Sequence, residues 1–373
     1  MSRVLVVDGA MPARQASAGE RATFDLLDGL VATGHDVVFT TIGSTAEDSL
    51  RVGAVAERGV EVPAGYGHGA GGLRSVLANG PWHAVFVNRP GPALVASEAL
   101  RGVAAARIYV GHDIHQWRLL AQNELVDDVP SHLRAVTEIA ERRCWGAYDV
   151  TVYPTLREAD HVNAQPGLEG AARALPYYRL TDQDLPPVIP RPDRRGLLVV
   201  GASAHAPNRD AAAVAVRDVL PLVAEPLSIV GDWPMSERAS LAGDGVWFTG
   251  RVTDDVLIEL HHRHLALLAP LRFGAGSRRK LVAAMGLGLP VITTSEGARG
   301  LLVRDAEPDD AVLIAETPAQ MAEAVRRLRA EPDWADEIAA RAQHVVRDVY
   351  AASIYDQQIT NLLADYLPPR RSL

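Results

Sequence analysis

Lysine and cysteine are almost absent from this sequence. Lysine occurs once, at position 280, and the remaining Lys+Arg positions are all arginine. The single cysteine, Cys144, excludes an intramolecular disulfide and suits a reducing compartment. No apolar run approaches the roughly 20 residues of a membrane span, and no signal peptide precedes the first predicted strand. We therefore expect a cytoplasmic protein.

A surplus of basic charge is also missing. The formal net charge is -9 at pH 7, so no basic field is available to attract nucleic acid. Peripheral membrane contact is left open, although no strongly basic amphipathic helix supports it. A hydrophobic fraction of 48% and a length of 373 residues fit a globular protein of two domains. The abundance of alanine, arginine, glycine and valine indicates a bacterial origin.

The chain opens with a strand, a loop, a helix and a second strand. Residues 4–7 and 37–41 are apolar runs, and Gly19 lies at the start of a segment with helical spacing between them. A further strand is predicted at 61–63. This order is typical of a doubly wound α/β domain. Gly19 either receives an anion or a sugar at the helix start, or only relieves a tight turn.

Polar residues crowd the loop after a strand predicted at 108–110. They include His112, Asp113, His115 and Arg118. Because open α/β sheets bind ligands beyond the carboxyl ends of their strands, this loop is a candidate binding site. The alternatives are a plain polar loop and a zinc site, but no second pair of ligands accompanies the two histidines.

The same pattern restarts in the second half of the chain. Residues 197–200 predict a strand, which is followed by Gly201 and by a helix predicted from Ala211. Asn208 either caps this helix or meets a ligand. Two halves with the same strand–glycine–helix order predict two Rossmann-like doubly wound domains facing each other across a cleft.

The most informative stretch is a glycine turn that leads into a helix. Gly274 and Gly276 form the turn after an apolar strand, and Ser277 is placed to cap the helix. Arg278 and Lys280 can then reach phosphate oxygens, which the helix N-terminus also favours. A lone lysine in an arginine-rich chain indicates a site that needs a compact ammonium, although chance placement is the alternative.

Three consecutive segments here resemble one family in order and spacing. They are Pro270–Lys280, Ala284–Thr294 (AMGLGLPVITT) and Glu296–Leu301 (EGARGL). They resemble the donor-binding segment of retaining GT-B glycosyltransferases of family 4, the glycosyl transferases group 1 type. The stretch 201–210 (GASAHAPNRD) resembles the start of the second domain in one branch of that family. Gly250–Val252 resembles a turn beside the nucleotide base.

The resemblance implies transfer of a hexosyl group from a nucleoside diphosphate sugar to an acceptor (EC 2.4), with retention of configuration. Neither a metal nor another cofactor is implied. The implied catalytic residues are Arg278, Lys280, His112 and Asp113. The implied donor-binding residues are Gly19, Gly201, Asn208, Gly250, Arg251, Gly274, Gly276, Ser277, Glu296 and Gly297. His115 and Arg118 are expected on the acceptor side.

Five prolines between Pro176 and Gly196 predict a semi-stiff linker, and together with the resemblance they give a domain organisation. We expect an acceptor-side Rossmann-like domain over residues 1–178, a proline-rich linker over 179–195 and a donor domain over 196–350. A C-terminal helix over 351–373 is expected to pack back on the first domain. The acceptor is left open as a glycan, a lipid or a small molecule, and so is the oligomeric state.

The sequence departs from the family at two acidic positions. The family usually has two glutamates eight positions apart, and this chain has Ala275 and Ala283 there. An alanine methyl cannot accept a hydrogen bond from ribose. The alternatives are weaker nucleotide binding, replacement by another acid such as Glu296, or loss of activity. The alternatives to a transferase are therefore a non-catalytic binding or scaffold protein and another GT-B enzyme such as a sugar-nucleotide epimerase. A nicotinamide dehydrogenase is disfavoured because no Gly-x-Gly-x-x-Gly follows either first strand.

Two further patterns suggest a metal only superficially. Asp182 and Asp184 form an Asp-x-Asp pair of the kind that binds metal in another glycosyltransferase class, but they lie in the proline-rich stretch. His261, His262 and His264 fall close together near the end of a predicted helix, where we expect a solvated face. We therefore predict no metal site.

Overall fold

A computed structural model describes residues 2–13, 17–126, 129–187, 193–276, 278–301 and 311–366. The chain divides into two compact units. The first unit comprises Met1–Gln116, Val129–Arg179 and Ala352–Leu373, and the second comprises Trp117–Asp128 and Leu180–Ala351.

The first unit is built on a parallel sheet of six strands. They are β1 (Arg3–Asp8), β2 (Asp36–Thr41), β3 (Ala84–Asn88), β4 (Ala106–Val110), β5 (Val150–Tyr153) and β6 (Ala172–Ala174). The order across the sheet is β2-β1-β3-β4-β5-β6. The helices are α1 (Ala18–Ala32), α2 (Asp48–Ala56), α3 (Gly69–Leu77), α4 (Pro90–Ala99), α5 (His115–Val126), α6 (Ser131–Ala147) and α7 (Leu156–Asn163). Helix α5 crosses the division between the units after Gln116.

The second unit also has six parallel strands. They are β7 (Leu197–Val200), β8 (Leu227–Val230), β9 (Val246–Gly250), β10 (Ala266–Ala269), β11 (Val291–Thr293) and β12 (Leu313–Ile314), in the order β12-β11-β10-β7-β8-β9. The helices are α8 (Ala206–Val214), α9 (Met235–Ser240), α10 (Asp254–Arg263), α11 (Arg279–Gly286), α12 (Ser295–Ala298), α13 (Pro318–Ala330) and α14 (Pro332–Tyr350). The last helix, α15 (Ala352–Ala364), belongs to the first unit.

Apolar runs make the central strands of both sheets. Residues 4–7 in β1 are fully buried, and residues 266–269 in β10 are at most 3% exposed. Continuous burial of this kind is expected where helices cover both faces of a parallel sheet. The two sheets confirm the predicted α/β class.

Helix α15 packs against α1 within the first unit. A Cβ atom at Gly29 of α1 would lie 2.7 Å from Cε1 of Tyr355, so only glycine allows this approach. Arg179 donates two hydrogen bonds to the carboxylate of Asp356, at 2.7 and 2.8 Å. This bidentate pair joins the end of the chain to the segment that follows β6.

The strand order creates one switch point in each sheet. In the second sheet the chain leaves β7 for β8 and β9 on one side and then returns to β10 on the other side. In the first sheet the corresponding position lies between β1 and β3. Loops diverge beyond the carboxyl ends of the strands at such a point, which is where open α/β sheets bind ligands.

Two predicted elements differ from the structure. Residues 61–63 do not form a strand, because Glu61 makes only an isolated bridge to Val38 of β2. The helix predicted from Ala211 begins earlier, at Ala206, since Pro207 occupies its first turn, where proline is tolerated. Among the described residues, no helix is long and apolar enough to span a bilayer.

Candidate functional site

Lys280 and Asn208 join the two loops at the switch point of the second sheet. The ammonium Nζ of Lys280, in the first turn of α11, donates to Oδ1 of Asn208 at 2.8 Å. The same amide donates from Nδ2 to the carbonyl of Ala202, in the loop after β7, at 2.9 Å. Asn208 thereby links the loop after β7 to the helix that follows β10.

The charge of Lys280 lacks a carboxylate partner. Its hydrogen-bond partner within the described residues is the neutral amide of Asn208. Burial, together with the smaller effect of the positive charge of Arg278, lowers the pKa of Lys280 to about 7. A desolvated ammonium with no counterion favours a bound anion, because the anion would restore the missing charge compensation.

Glycines end the three neighbouring strands β7, β8 and β9 at the carboxyl edge of the second sheet. Gly201, Gly231 and Gly250 follow or close β7, β8 and β9, with φ values of 152°, 136° and 73°. A Cβ atom at Gly201 would lie 2.5 Å from Cγ of Asn208, and one at Gly231 would lie 2.5 Å from the carbonyl oxygen of Gly201. The backbone at this sheet edge therefore excludes side chains. The sequence analysis missed Gly231, although it also directly follows an apolar run.

Arg278 lies against the glycine turn. Gly274 and Gly276 have φ values of 147° and 73°, and a Cβ atom at Gly274 would lie 2.5 Å from Nη1 of Arg278. The buried guanidinium donates to the carbonyl oxygens of Ala275 and Glu296, at 3.3 and 3.0 Å. The Arg278 side chain thus stabilises the glycine turn through these hydrogen bonds. It is also the N-cap residue of α11, without a side-chain cap.

Ser277, predicted to cap this helix, lies outside the described residues.

Glu296 is held between two arginines. Its Oε1 accepts from Nη2 of Arg278 at 3.2 Å, and its Oε2 is paired with Arg299. If Glu296 replaces the acids missing at Ala275 and Ala283, it does so as a carboxylate already paired with two arginines. Ala283 lies half-buried in α11.

Gly297 is required by close packing. Its N–H donates to Oγ1 of Thr294 at 2.9 Å, and a Cβ atom there would lie 2.0 Å from Oγ1 of Thr293. Gly250 and Arg251 are not brought next to Lys280. Strand β9, which ends at Gly250, is the edge strand and is separated from β10 by β7 and β8, and Arg251 is exposed.

In the first unit, His112 lies beyond the carboxyl end of β4. Its ring is 5.2 Å from the ring of Tyr177, centroid to centroid. Burial lowers the pKa of His112 well below its ordinary value, and the charges of Arg89 and His115 add to this effect. His112 is therefore a neutral imidazole near pH 7.

His115 is held between two carboxylates. Its Nε2 lies 3.0 Å from Oδ1 of Asp113, and its Nδ1 lies 3.3 Å from Oε1 of Glu141. Glu141 is fully buried and also accepts from the backbone N–H groups of His115 and Gln116, at 2.6 and 3.2 Å. The first turn of α5 is thus capped by an internal carboxylate. Arg118 is half-buried further along α5, in the part of the helix assigned to the second unit.

The switch point of the first sheet carries residues that the sequence analysis missed. The buried carboxylate of Asp8 accepts from the N–H of Gly9, from Thr23 and from Asn88, at 2.6, 2.8 and 3.1 Å. It also pairs with Arg89. Asp8 ends β1, and Asn88 and Arg89 stand at the end of β3, so polar residues directly after apolar runs were the available signal.

Gly19 is brought to the same place. A Cβ atom at Gly19 would lie 3.1 Å from Nη2 of Arg89 and 3.5 Å from Nδ1 of His112. The structure therefore groups Gly19 with His112, and groups Lys280 with Asn208 and Gly201.

The expectation of a solvated histidine face is wrong for two of three residues. His261 is 1% exposed and His264 is 8% exposed. Nδ1 of each ring is 2.7 Å from a backbone carbonyl of α10, and Nε2 of His264 is 2.9 Å from Oγ of Ser228 in β8. This side of α10 faces the sheet, which the spacing of the histidines did not reveal.

The proline-rich Asp-x-Asp pair serves a turn. Asp184 accepts from the backbone and the hydroxyl of Thr181, at 2.8 and 2.7 Å, and Asp182 lies 3.5 Å from Arg347. Within the described ranges, no three His, Cys, Asp or Glu residues are grouped so as to hold a metal ion.

Comparison with known proteins supports the architecture. No curated protein sequence matches this chain. Its structure superposes on sucrose-phosphate synthase from Thermosynechococcus elongatus with a TM-score of 0.71 and 13% identity, covering 98% of this chain and 99% of the other. It superposes on Anabaena HepE in complex with UDP with a TM-score of 0.68 and 15% identity, covering 98% and 100%.

A glycosyltransferase from Rickettsia africae gives a TM-score of 0.72 at 12% identity, covering 99% and 100% of the two chains. Residues 194–331, which hold the Lys280 site, match the family described as Glycosyl transferases group 1. The chain thus has the GT-B fold, and its segment 194–331 matches the Glycosyl transferases group 1 family.

Proposed function

We propose that this protein is a retaining glycosyltransferase that moves a hexosyl group from a nucleoside diphosphate sugar to an acceptor. The observation that carries the proposal is Lys280, a desolvated ammonium whose hydrogen-bond partner among the described residues is a neutral amide, at the switch point of the second sheet. This residue lies in the segment that matches Glycosyl transferases group 1. A diphosphate supplies the negative charge that this position lacks.

The chemistry follows from where charge develops. As the bond from the sugar to the diphosphate breaks, negative charge builds on the departing phosphate oxygen. The Lys280 ammonium would stabilise that charge, and Asn208 holds the ammonium in position. Arg278 braces the glycine turn and adds positive potential beside Lys280. We infer that these two cations allow transfer without a metal ion.

UDP is the first nucleoside diphosphate to test as part of the donor. Anabaena HepE, whose fold this chain shares, is described in complexes with UDP and with UDP-glucose. In our proposal, the first unit receives the acceptor. The neutral imidazole of His112, beside Asp113, is then available to hydrogen-bond a sugar or acceptor hydroxyl. Retention requires attack on the sugar from the side of the departing diphosphate.

The test is calorimetric titration of the full chain with UDP, GDP, ADP and dTDP, each with magnesium and with a chelator. We expect one diphosphate to bind equally well under both conditions. Lys280→Ala should weaken that binding at least about tenfold, since a charge-assisted hydrogen bond is lost. Arg263→Ala is the matched control, because Arg263 is exposed and pairs only within α10.

Two results would contradict the proposal. If no diphosphate binds, the anion site at Lys280 does not exist. If binding requires magnesium, transfer without a metal is wrong. Once the base is known, proton NMR of the product formed from the matching sugar donor reports the anomeric configuration, and inversion would exclude the retaining mechanism.

A non-catalytic binding protein is the second candidate. Ala275 and Ala283 provide no carboxylate, and Glu296 is engaged by Arg278 and Arg299. This protein would bind the nucleotide sugar without consuming it. Release of UDP from a UDP-sugar, followed with a coupled assay in the presence of a mixture of sugar and lipid acceptors, separates the two candidates. Slow hydrolysis lost in Lys280→Ala supports the transferase.

A further inference from the structure

We propose that Arg89 forms an anion subsite in the first unit, where it binds a phosphate or carboxylate group of the acceptor. The assignment of the ligand as the acceptor rests on the proposed glycosyltransferase function. The anion subsite itself rests on the geometry of the first unit alone. The residues involved are Asp8, Gly19, Arg89 and His112, which meet at the switch point between β1 and β3.

The backbone of Arg89 adopts a conformation that normally belongs to glycine. Its φ is 68° and its ψ is 151°, and it is the single non-glycine residue with positive φ in the described ranges. Pro90 follows and restricts the preceding backbone further. Glycine would occupy this position without strain, so the arginine side chain must bring a benefit that offsets the cost.

Asp8 fixes the guanidinium in place. The carboxylate is 1% exposed and is saturated by the donors of Gly9, Thr23 and Asn88 in addition to Nη1 of Arg89. Because four donors share the carboxylate, its charge is dispersed among them. The ion pair therefore orients Arg89 without using its remaining N–H groups.

The guanidinium of Arg89 keeps donors that no described residue uses. Within the described part of the chain, Nη2 of Arg89 has no protein acceptor, and the side chain is 32% exposed. Nη2 lies 3.1 Å from the position that a Cβ atom at Gly19 would take, so the missing side chain of Gly19 leaves this approach free. An oxyanion that reaches the exposed part of the guanidinium would accept from Nη2.

Arg89 acts on its neighbour His112 as a positive charge. The charge of Arg89 contributes to lowering the pKa of His112, next after burial, even though Asp8 pairs with Arg89. A position that disfavours a second cation favours an anion by the same interaction. The neutral His112 can add one hydrogen bond to the bound group through whichever ring nitrogen carries the proton.

The experiment uses inorganic phosphate and acetate as separate probes, titrated into the Lys280→Ala chain so that the second unit does not contribute. On this background we compare Arg89→Gly, Arg89→Lys and the control Arg101→Gly, which changes an exposed arginine after α4. We expect one probe to bind about tenfold more weakly in Arg89→Gly and to bind unchanged in Arg101→Gly. Arg89→Lys, which keeps a cation beside Asp8, should bind at an intermediate level.

Thermal unfolding of the same variants tests the alternative of a purely structural ion pair. Because glycine relieves the backbone strain, we expect Arg89→Gly to unfold no more than a few degrees below its parent. Two results together would overturn the proposal. They are equal phosphate and acetate binding in Arg89→Gly and its parent, and a large loss of thermal stability in Arg89→Gly. If Arg89→Gly does not fold, Arg89→Lys carries the comparison, and binding equal to the parent would overturn it.

The acceptor assignment has its own control. UDP is titrated into Arg89→Gly with Lys280 intact. An unchanged UDP affinity supports an acceptor subsite, and a weakened one assigns Arg89 to the donor instead. Absence of UDP binding in the parent chain, with Arg89-dependent phosphate binding retained, would defeat the proposed transferase function but leave the anion subsite standing.

Discussion

Nζ of Lys280 lies 2.8 Å from Oδ1 of Asn208, although 72 positions separate the two residues in the chain. The contact forms because β7 and β10 are neighbours in the sheet while their following loops diverge. The desolvated Lys280 ammonium therefore donates to the neutral amide of Asn208. Substitutions at Lys280 and at Asn208 test the ammonium and its positioning separately.

Asn208→Ala should weaken UDP binding about five- to tenfold, because Lys280 loses the hydrogen bond that positions it. Asn208→Asp should weaken UDP binding more than Asn208→Ala, since its carboxylate supplies the counterion that Lys280 lacks and repels the diphosphate. Calorimetry of both variants measures the difference. Asn163→Ala is the matched control: this amide also donates to a backbone carbonyl, at 3.2 Å, but it belongs to the first unit.

The affinity for a UDP-sugar should fall as pH rises through the pKa of Lys280. Since burial lowers that pKa to about 7, the ammonium loses its proton near neutrality in the free protein. Below the pKa the ammonium attracts the diphosphate, and above it binding must take up a proton. Calorimetry from about pH 6 to about pH 9, in buffers of different ionisation enthalpy, measures this proton uptake.

A UDP-sugar is the ligand for this titration because its diphosphate has no terminal group that titrates in the range. The control is Lys280→Ala, whose residual affinity should not vary with pH. Equal pH dependence in the two chains would show that another group is responsible.

Gly297→Ala should destabilise the fold by about 1 to 3 kcal/mol through overpacking. The added Cβ atom would lie 2.0 Å from Oγ1 of Thr293, which itself donates to the carbonyl of Ala269 at 2.7 Å. Gly91→Ala in α4 is the control, because a Cβ atom there meets nothing within 4 Å. Urea unfolding should show a lower midpoint for Gly297→Ala and an unchanged or higher one for Gly91→Ala.

His261 should make the folded state sensitive to acid. Burial lowers the pKa of His261 to about 4, below the value of about 6.5 expected in the unfolded chain. The unfolded state therefore binds more protons than the folded state between these two pKa values. The contribution of neutral His261 to the free energy of unfolding is fully present above about pH 6.5 and is lost as the pH falls toward 4. The loss from this residue reaches about 3 kcal/mol.

His261→Leu should remove that part of the acid sensitivity, which urea unfolding near pH 7 and near pH 4.5 measures as a difference from the parent chain. His344→Leu is the control, because that side chain is 75% exposed. The same loss of stability in the parent and in His261→Leu would show that His261 does not titrate between the two states.

Much of the fold was predictable because its elements are locally encoded. The strands at 4–7, 37–41 and 197–200 are apolar runs, and the structure places β1, β2 and β7 there. The glycine turn before α11 was also predictable, since few other residues adopt the positive φ found at Gly274 and Gly276.

Pairings between distant residues were not predictable. Asp8 and Arg89 are 81 positions apart, and nothing in the spacing of either indicates the other. His261 and His264 were misjudged for a related reason. A histidine at the end of an amphipathic helix suits solvent and core equally, and packing against β8 decided the outcome.

Local sequence patterns were sufficient to predict the α/β class, the two halves of similar order and the glycine turn ahead of the one lysine. These depend on apolar periodicity and on backbone preferences, which act over a few residues. Folding alone brings Lys280 to Asn208, Arg278 to Glu296 and Arg89 to Asp8. Such contacts depend on strand order, because only the order of strands in the sheet decides which loops meet at its carboxyl edge.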